Sequence, residues 1–184
     1  MTGERRQGRE SWRDADDVVA AYAGTPAGLP AFIHAANALR RSLDSRLWLL
    51  CPSDAPVDSS FVEGVLVYPG AASNRVAEAP ARGDALRVIE RLAECRATVA
   101  FVFAESGFAP YVPAYLCYLA GISYRAGAEV EFAGAVLSPA VRLPPLRDDG
   151  ERHLALLQAF GVVPVNRGPS PRPTKTIGSV GCAQ

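Results

Sequence analysis

The sequence predicts an α/β fold: an open, mostly parallel, Rossmann-like sheet with helices on both faces. Three observations predict it. Compact apolar runs such as "RLWLLC" (46–51) and "ATVAFVFA" (97–104) are continuous rather than alternating, as expected of strands covered on both sides. Segments of helical period stand between such runs, for example "GDALRVIERLAE" (83–94), where Leu86, Ile89, Leu92 and Ala93 share one face and the charges take the other. The two kinds of segment follow one another in the order β-α-β-β-α-β-α-β-α, which parallel strands with right-handed crossovers accommodate.

Taken in order, residues 1–13 are polar and read as a loose leader, with the ordered domain spanning 14–163. "DVVAAYAG" (17–24) is a β-like run ended by Gly24, and the turn-rich "TPAGLP" leads into a helix over 31–43, "AFIHAANALRRSL". "RLWLLC" is stopped by Pro52, and "GVLVYP" (64–69) makes the next buried strand. An Ala/Pro/Gly loop over 70–82 precedes the amphipathic helix 83–94, and the strand 97–104 is the most strand-like segment in the chain. After "ESGFAP" a helix over 111–120 closes at Gly121, a residue suited to the left-handed position that ends helices. "ISYRAG" is a short strand and "DGERHLALLQAFGV" (149–162) a last amphipathic helix, while 164–184 has no periodicity and reads as a disordered tail.

Composition narrows the function classes. The 19 basic and 19 acidic residues cancel, so no global field draws the chain to nucleic acid or to an anionic membrane surface. Hydrophobic residues make up 49%, ample for a core, yet no stretch is long enough for a transmembrane segment, and the opening residues lack a signal-peptide pattern. The reading is cytoplasmic. Cys51, Cys95, Cys117 and Cys182 are far apart, without a C-x-x-C pair or a histidine at ligand spacing, so neither a metal site nor a disulfide framework is indicated. No cofactor is expected.

In open α/β sheets ligands bind beyond the carboxyl ends of the strands, in the loops that feed the helices. Two loops qualify. "GTPAGLP" (24–30), with Thr25 and Gly28, runs into a helix N-terminus that favours anions, but it has neither G-x-G-x-x-G nor G-x-x-x-x-G-K-[ST]. "AESGFAPY" (104–111) offers Glu105, Ser106 and Tyr111, a carboxylate and two hydroxyls able to hydrogen-bond a sugar or another polyol. A serine-nucleophile triad is not supported, because Ser106 is not in G-x-S-x-G and the histidines, His34 and His153, fall within predicted helices as surface or core residues. Tyr111, Tyr115 and Tyr118 share a helical face and read as a packing stripe. Glu129 and Glu131 lie in an extended segment and point the same way, into solvent, with no catalytic assignment.

The pattern "PYVPAYLCYLAGISYRAG", then "EFAGAVLS", then "ERHLALLQAFGV" resembles the N-terminal half of glycosyltransferase family 9, the heptosyltransferase group. The resemblance extends back through "DADDVVAAYAGTPAGLPAFIHAANALRRSL", "RLWLLCPSDAPV" and "VEGVLVY", covering roughly 14–162, with 111–138 its most specific part. It implies one half of a glycosyltransferase B architecture, an acceptor-side domain that faces a donor-binding domain across a cleft and works without a metal. The family's Gly-Asp pair, whose aspartate is the expected base, falls on Ala27 and Gly28. Its histidine near the last helix falls at about Asp148, and its "LSH" becomes "LSP" at Leu137, Ser138 and Pro139.

Only 22 residues follow Val162, too few for a second α/β domain of about 100–150 residues. The resemblance therefore implies a glycan or sugar acceptor as ligand, no catalytic residue, and a separately encoded donor-binding domain as partner, while the two loops supply the candidate substrate contacts Thr25, Gly28, Glu105, Ser106 and Tyr111. A non-catalytic interaction protein on the same scaffold and a truncated gene product are the alternatives.

Overall fold

A strand buried along its whole length must be apolar on both faces, and two segments of this chain meet that condition throughout. They are β4 (Val99–Ala104) and, from Val18 onward, β1 (Asp17–Ala23), whose leading Asp17 is buried but accepts hydrogen bonds from Arg46 and Trp48; in the computed structural model the two strands lie side by side at the centre of the sheet. The structure describes residues 11–52, 60–68, 82–130, 136–146 and 148–162. β2 (Arg46–Cys51) and β3 (Gly64–Val67) extend the sheet beyond β1, and β5 (Tyr124–Ala128) and β6 (Ala140–Val141) extend it beyond β4. The order is β3-β2-β1-β4-β5-β6, and every neighbouring pair is parallel.

Alternation along the central strands divides the core in two. Val18, Ala20 and Tyr22 of β1 and Val99, Phe101 and Phe103 of β4 point to one face, where α1 (Leu29–Ser42) and α4 (Asp149–Ala159) pack. Val19 and Ala21 with Ala100 and Val102 point to the other, covered by α2 (Arg82–Glu94) and α3 (Tyr111–Leu119). This two-sided burial is why both strands read as unbroken apolar runs. In α1 the buried residues Leu29, Phe32, Ala35, Ala36 and Leu39 recur at helical spacing, and a proline at the start sits where its missing N–H costs nothing.

Element boundaries differ from expectation by a few residues. Helix α1 begins at Leu29, and the last helix ends at Ala159 because Gly161, at φ 76°, takes a left-handed turn. Gly121 does the same at φ 85° after α3, as its position in the sequence predicts, and Ile122 N–H closes the motif by donating to the Cys117 carbonyl at 3.0 Å. The short strand β6 was not expected. Only two residues long, it lies below the length at which a pattern can be read.

The larger departure is at the start. Trp12 lies in the segment expected to stay loose, yet it is 2% exposed in a 3₁₀ turn (Ser11–Asp14), edge-on to Phe101 with ring centroids 5.4 Å apart. Arg13 anchors the same turn by donating to the Gly161 carbonyl at 2.9 Å. One indole provides enough apolar area to order a polar stretch around it. The tail expected over 164–184 lies outside the described residues.

Trp12→Ala is expected to destabilise the domain by about 3–5 kcal/mol, read from urea unfolding. A leader that contributed nothing to the core would leave the midpoint unchanged.

Candidate functional site

In this strand order the chain reverses direction across the sheet between β1 and β4. β1 feeds α1 and then β2 on one side, while β4 feeds α3 and then β5 on the other. The chain therefore leaves these two strands in opposite directions, and in open α/β sheets the carboxyl ends at such a reversal are where a ligand crevice forms. Thr25 and Gly28 lie in the first loop, Glu105 and Ser106 in the second.

The structure joins the loops through Glu105. Its side chain is 6% exposed, and its carboxylate accepts from Tyr22 Oη at 2.7 Å, Thr25 N at 2.8 Å and Thr25 Oγ1 at 3.2 Å. Tyr22 Oη lies 3.1 Å from the Thr25 carbonyl, and Gly28 N donates to the carbonyl and hydroxyl of Thr25 at 3.2 and 3.3 Å. Burial, and then the hydrogen bond to Glu105, raise the Tyr22 phenol far above its ordinary pKa, so it remains a donor. Among the described residues no cation pairs with this carboxylate, so such donors must hold it, each charge-assisted bond contributing about 1.5–3 kcal/mol.

Two glycines make room for it. A Cβ on Gly28 would fall 1.3 Å from Glu105 Oε1, and one on Gly24 would fall 2.7 Å from Glu105 Cδ. Both positions also crowd the Tyr22 hydroxyl, at 2.5 Å. The carboxylate thus occupies the volume that a side chain at residue 28 would take.

Behind this cluster lies His153, on α4. It is 1% exposed, edge-on to Tyr22 and Phe103 with ring centroids 6.2 and 5.5 Å away, and its Nε2 has no hydrogen-bond partner among the described residues. Burial lowers its pKa, partly offset by the negative charges of Asp149 and Glu105. Asp149 accepts from Ser106 N at 2.7 Å, tying the second loop to the start of α4. Asp148, where the resemblance puts the family's histidine, is instead the helix cap, accepting from Glu151 N at 3.0 Å.

Three of the predicted site residues, Thr25, Gly28 and Glu105, are therefore brought together. Ser106 is exposed beside them, and Tyr111 is half-exposed at the first turn of α3 without a hydrogen bond to the cluster. Sequence reasoning missed Tyr22 and Asp149, whereas His153, read as a helix-surface or core residue, is indeed a buried helix residue. Tyr22 carried a signal, since a tyrosine near the end of a Val/Ala strand needs a partner for its hydroxyl once buried. The expected packing stripe is corrected: Tyr115 and Tyr118 are 51% and 52% exposed, because the core-facing positions of α3 are held by Pro113, Ala114, Leu116 and Cys117. Glu129 is exposed and pairs with Arg142 at 3.3 Å; Glu131 lies outside the described residues.

Cys51, Cys95 and Cys117 are free and buried, and burial pushes the Cys51 and Cys117 thiols up to about 12, so they pack as small apolar groups. Among the described residues no group of His, Cys, Asp and Glu is arranged to hold a metal, and no helix is long and apolar enough to cross a membrane. A second concavity, about 740 Å³, opens at the opposite, amino ends of the strands between Asp14, Asp16, Asp44, Arg46 and Arg96. Its charges are of both signs, and Arg46 is already engaged by Asp17. No family model, curated protein or solved structure matches this chain.

Gly28→Ala is expected to cost about 1–3 kcal/mol of stability, and less in a Glu105→Ala background, with a coupling of about 1 kcal/mol or more in a double-mutant cycle. Additivity of the two changes would show that they do not share a volume.

His153 adds a pH dependence. The folded chain keeps the imidazole neutral where the unfolded chain protonates it, so the unfolded state binds more protons below about pH 6.5. This contribution is fully present above that pH and is lost as the pH falls. His153→Phe should flatten the fall in unfolding midpoint between about pH 7 and 5; an unchanged slope would assign it to other groups.

Proposed function

We propose that this chain is the acceptor-side, sugar-binding domain of a glycosyltransferase of the family 9, heptosyltransferase-like kind. In this reading it takes a glycan or sugar acceptor at the carboxyl ends of β1 and β4, in a cytoplasmic setting, and leaves the nucleotide-sugar donor to another domain. The observation that carries the reading is the chemistry gathered at the strand-order reversal. The groups presented there are hydroxyls, the exposed Ser106 and the part-buried Thr25, which suit a polyol, beside a carboxylate, Glu105, whose oxygens Tyr22 and Thr25 already engage. The turn that could cradle a phosphate already holds Glu105. The motif at 111–138 and the Rossmann-like sheet agree with the reading and are weaker support, since one fold hosts many functions.

Turnover by the chain alone is expected to be poor. The resemblance puts the proton-accepting aspartate at Gly28, which has none to offer, and loss of a general base commonly costs a factor of about 100 to 10,000. Glu105 brings a carboxylate to the same volume, but three donors already engage it.

One observation favours a second reading, a non-catalytic interaction protein. Val112, Tyr115, Tyr118 and Leu119 leave one side of α3 apolar and 48–55% exposed.

Calorimetric titration of the purified chain separates these readings. Neutral glycosides should bind, ADP- and UDP-sugars should not, and no sugar transfer should occur without a donor-binding domain. Nucleotide-sugar binding, or efficient transfer by the chain unaided, would overturn the proposal.

A further inference from the structure

The polar cluster at the strand-order reversal has the make-up of a ligand site whose ligand is covalently attached. Two backbone positions, Gly24 and Gly28, lack side chains where the carboxylate sits, and three donors from two residues converge on its oxygens. The receiving loop leads directly into α1, whose first turn carries no acidic side chain and is not capped by one. Close by, the Nε2 atom of His153, in a side chain 1% exposed, has no partner among the described residues, so an uncommitted polar group is buried against the same cluster.

We infer that Glu105 is a built-in anion: its carboxylate is the occupant of an anion-accepting subsite formed by Tyr22 Oη, Thr25 N and Thr25 Oγ1, and it determines specificity by closing the crevice to phosphate and carboxylate groups. A free anion would have to displace a tethered one and enter beside its charge. Ligands admitted between the loops are therefore neutral or cationic at this point. The inference goes beyond the acceptor-domain proposal and does not depend on it, because it is decided by anions and not by glycans.

Chemical rescue tests it. Glu105→Ala removes a CH₂–COO⁻ fragment, which acetate replaces almost atom for atom. Unfolding midpoints are measured for the unaltered chain, Glu105→Ala and Glu105→Gln in acetate, in inorganic phosphate and in chloride at equal ionic strength. Glu105→Ala should unfold at a lower temperature in chloride. It should regain roughly 3–6 °C when acetate reaches about ten times its dissociation constant, and continue to gain with the logarithm of acetate concentration. The unaltered chain should gain nothing from acetate or phosphate beyond chloride. Glu105→Gln, which keeps the volume filled, should be destabilised without acetate rescue.

If Glu105→Ala does not fold in chloride, recovery of cooperative unfolding in acetate supports the inference. Failure to recover there, while Glu105→Gln folds, overturns it. Equal gains from acetate in all three proteins, or phosphate binding by the unaltered chain, overturn it too. Neither result bears on whether neutral glycosides bind, so the two proposals fail separately.

Discussion

The hydrogen-bonded burial of one carboxylate governs the geometry of the edge formed by the carboxyl ends of β1 and β4. Glu105 follows directly on β4, but its partners come from the end of β1 and the loop after it, so the side chain ties together two loops that the strand order sends in opposite directions. Removing such a charge from water costs several kcal/mol, and the structure offsets this with donors rather than with a cation. That choice constrains the neighbouring sequence. Gly24 and Gly28 must remain without Cβ atoms, Tyr22 must keep its proton, and Thr25 must supply both backbone and side chain.

The surrounding packing holds the tie in place. Tyr22 stacks on Phe32 of α1 at 4.8 Å, and Phe32 meets Phe103 of β4 at 5.5 Å, so strands and helix fix the ring that carries the hydroxyl. On β3's side, Tyr68 Oη donates to the Tyr22 carbonyl at 2.8 Å. His153 closes the cluster from α4, and Asp149 on the same helix holds Ser106. The cluster at the carboxyl ends of β1 and β4 is thus held from strands and helices on every side that packs against it. The apolar side of α3 begins beside the same loop but faces away from the sheet, and the chemistry of the two surfaces differs: one is polar and convergent, the other flat and aromatic.

The fold was largely legible because two-sided burial writes itself into sequence as unbroken apolar runs, and helix faces as a period. The site was legible only in part. Loop position pointed to Thr25, Gly28 and Glu105, and the general rule for open α/β sheets is enough to single out those loops. Nothing in the order of residues says that Glu105 turns inward while Ser106 stays in solvent. The tyrosines of α3 misled because helical spacing shows which residues share a face, but not which face the sheet covers. Trp12 misled for the opposite reason: polar neighbours hid a residue whose area alone was enough to dock it.

By itself, the sequence determined the succession of strands and helices, the burial of the central strands, the left-handed close of α3 at Gly121 and the absence of a strong charge to choose a partner. Each follows from local properties, namely apolar content, period, backbone freedom at glycine and net charge. Tertiary structure alone decided that a carboxylate 80 residues beyond Thr25 would be received at Thr25 N and would fill the space left by Gly28. Such a contact depends on which strands are neighbours and how their ends are aligned. Register between distant segments is set by the packing of the whole sheet, not by any stretch of residues that could be read in isolation.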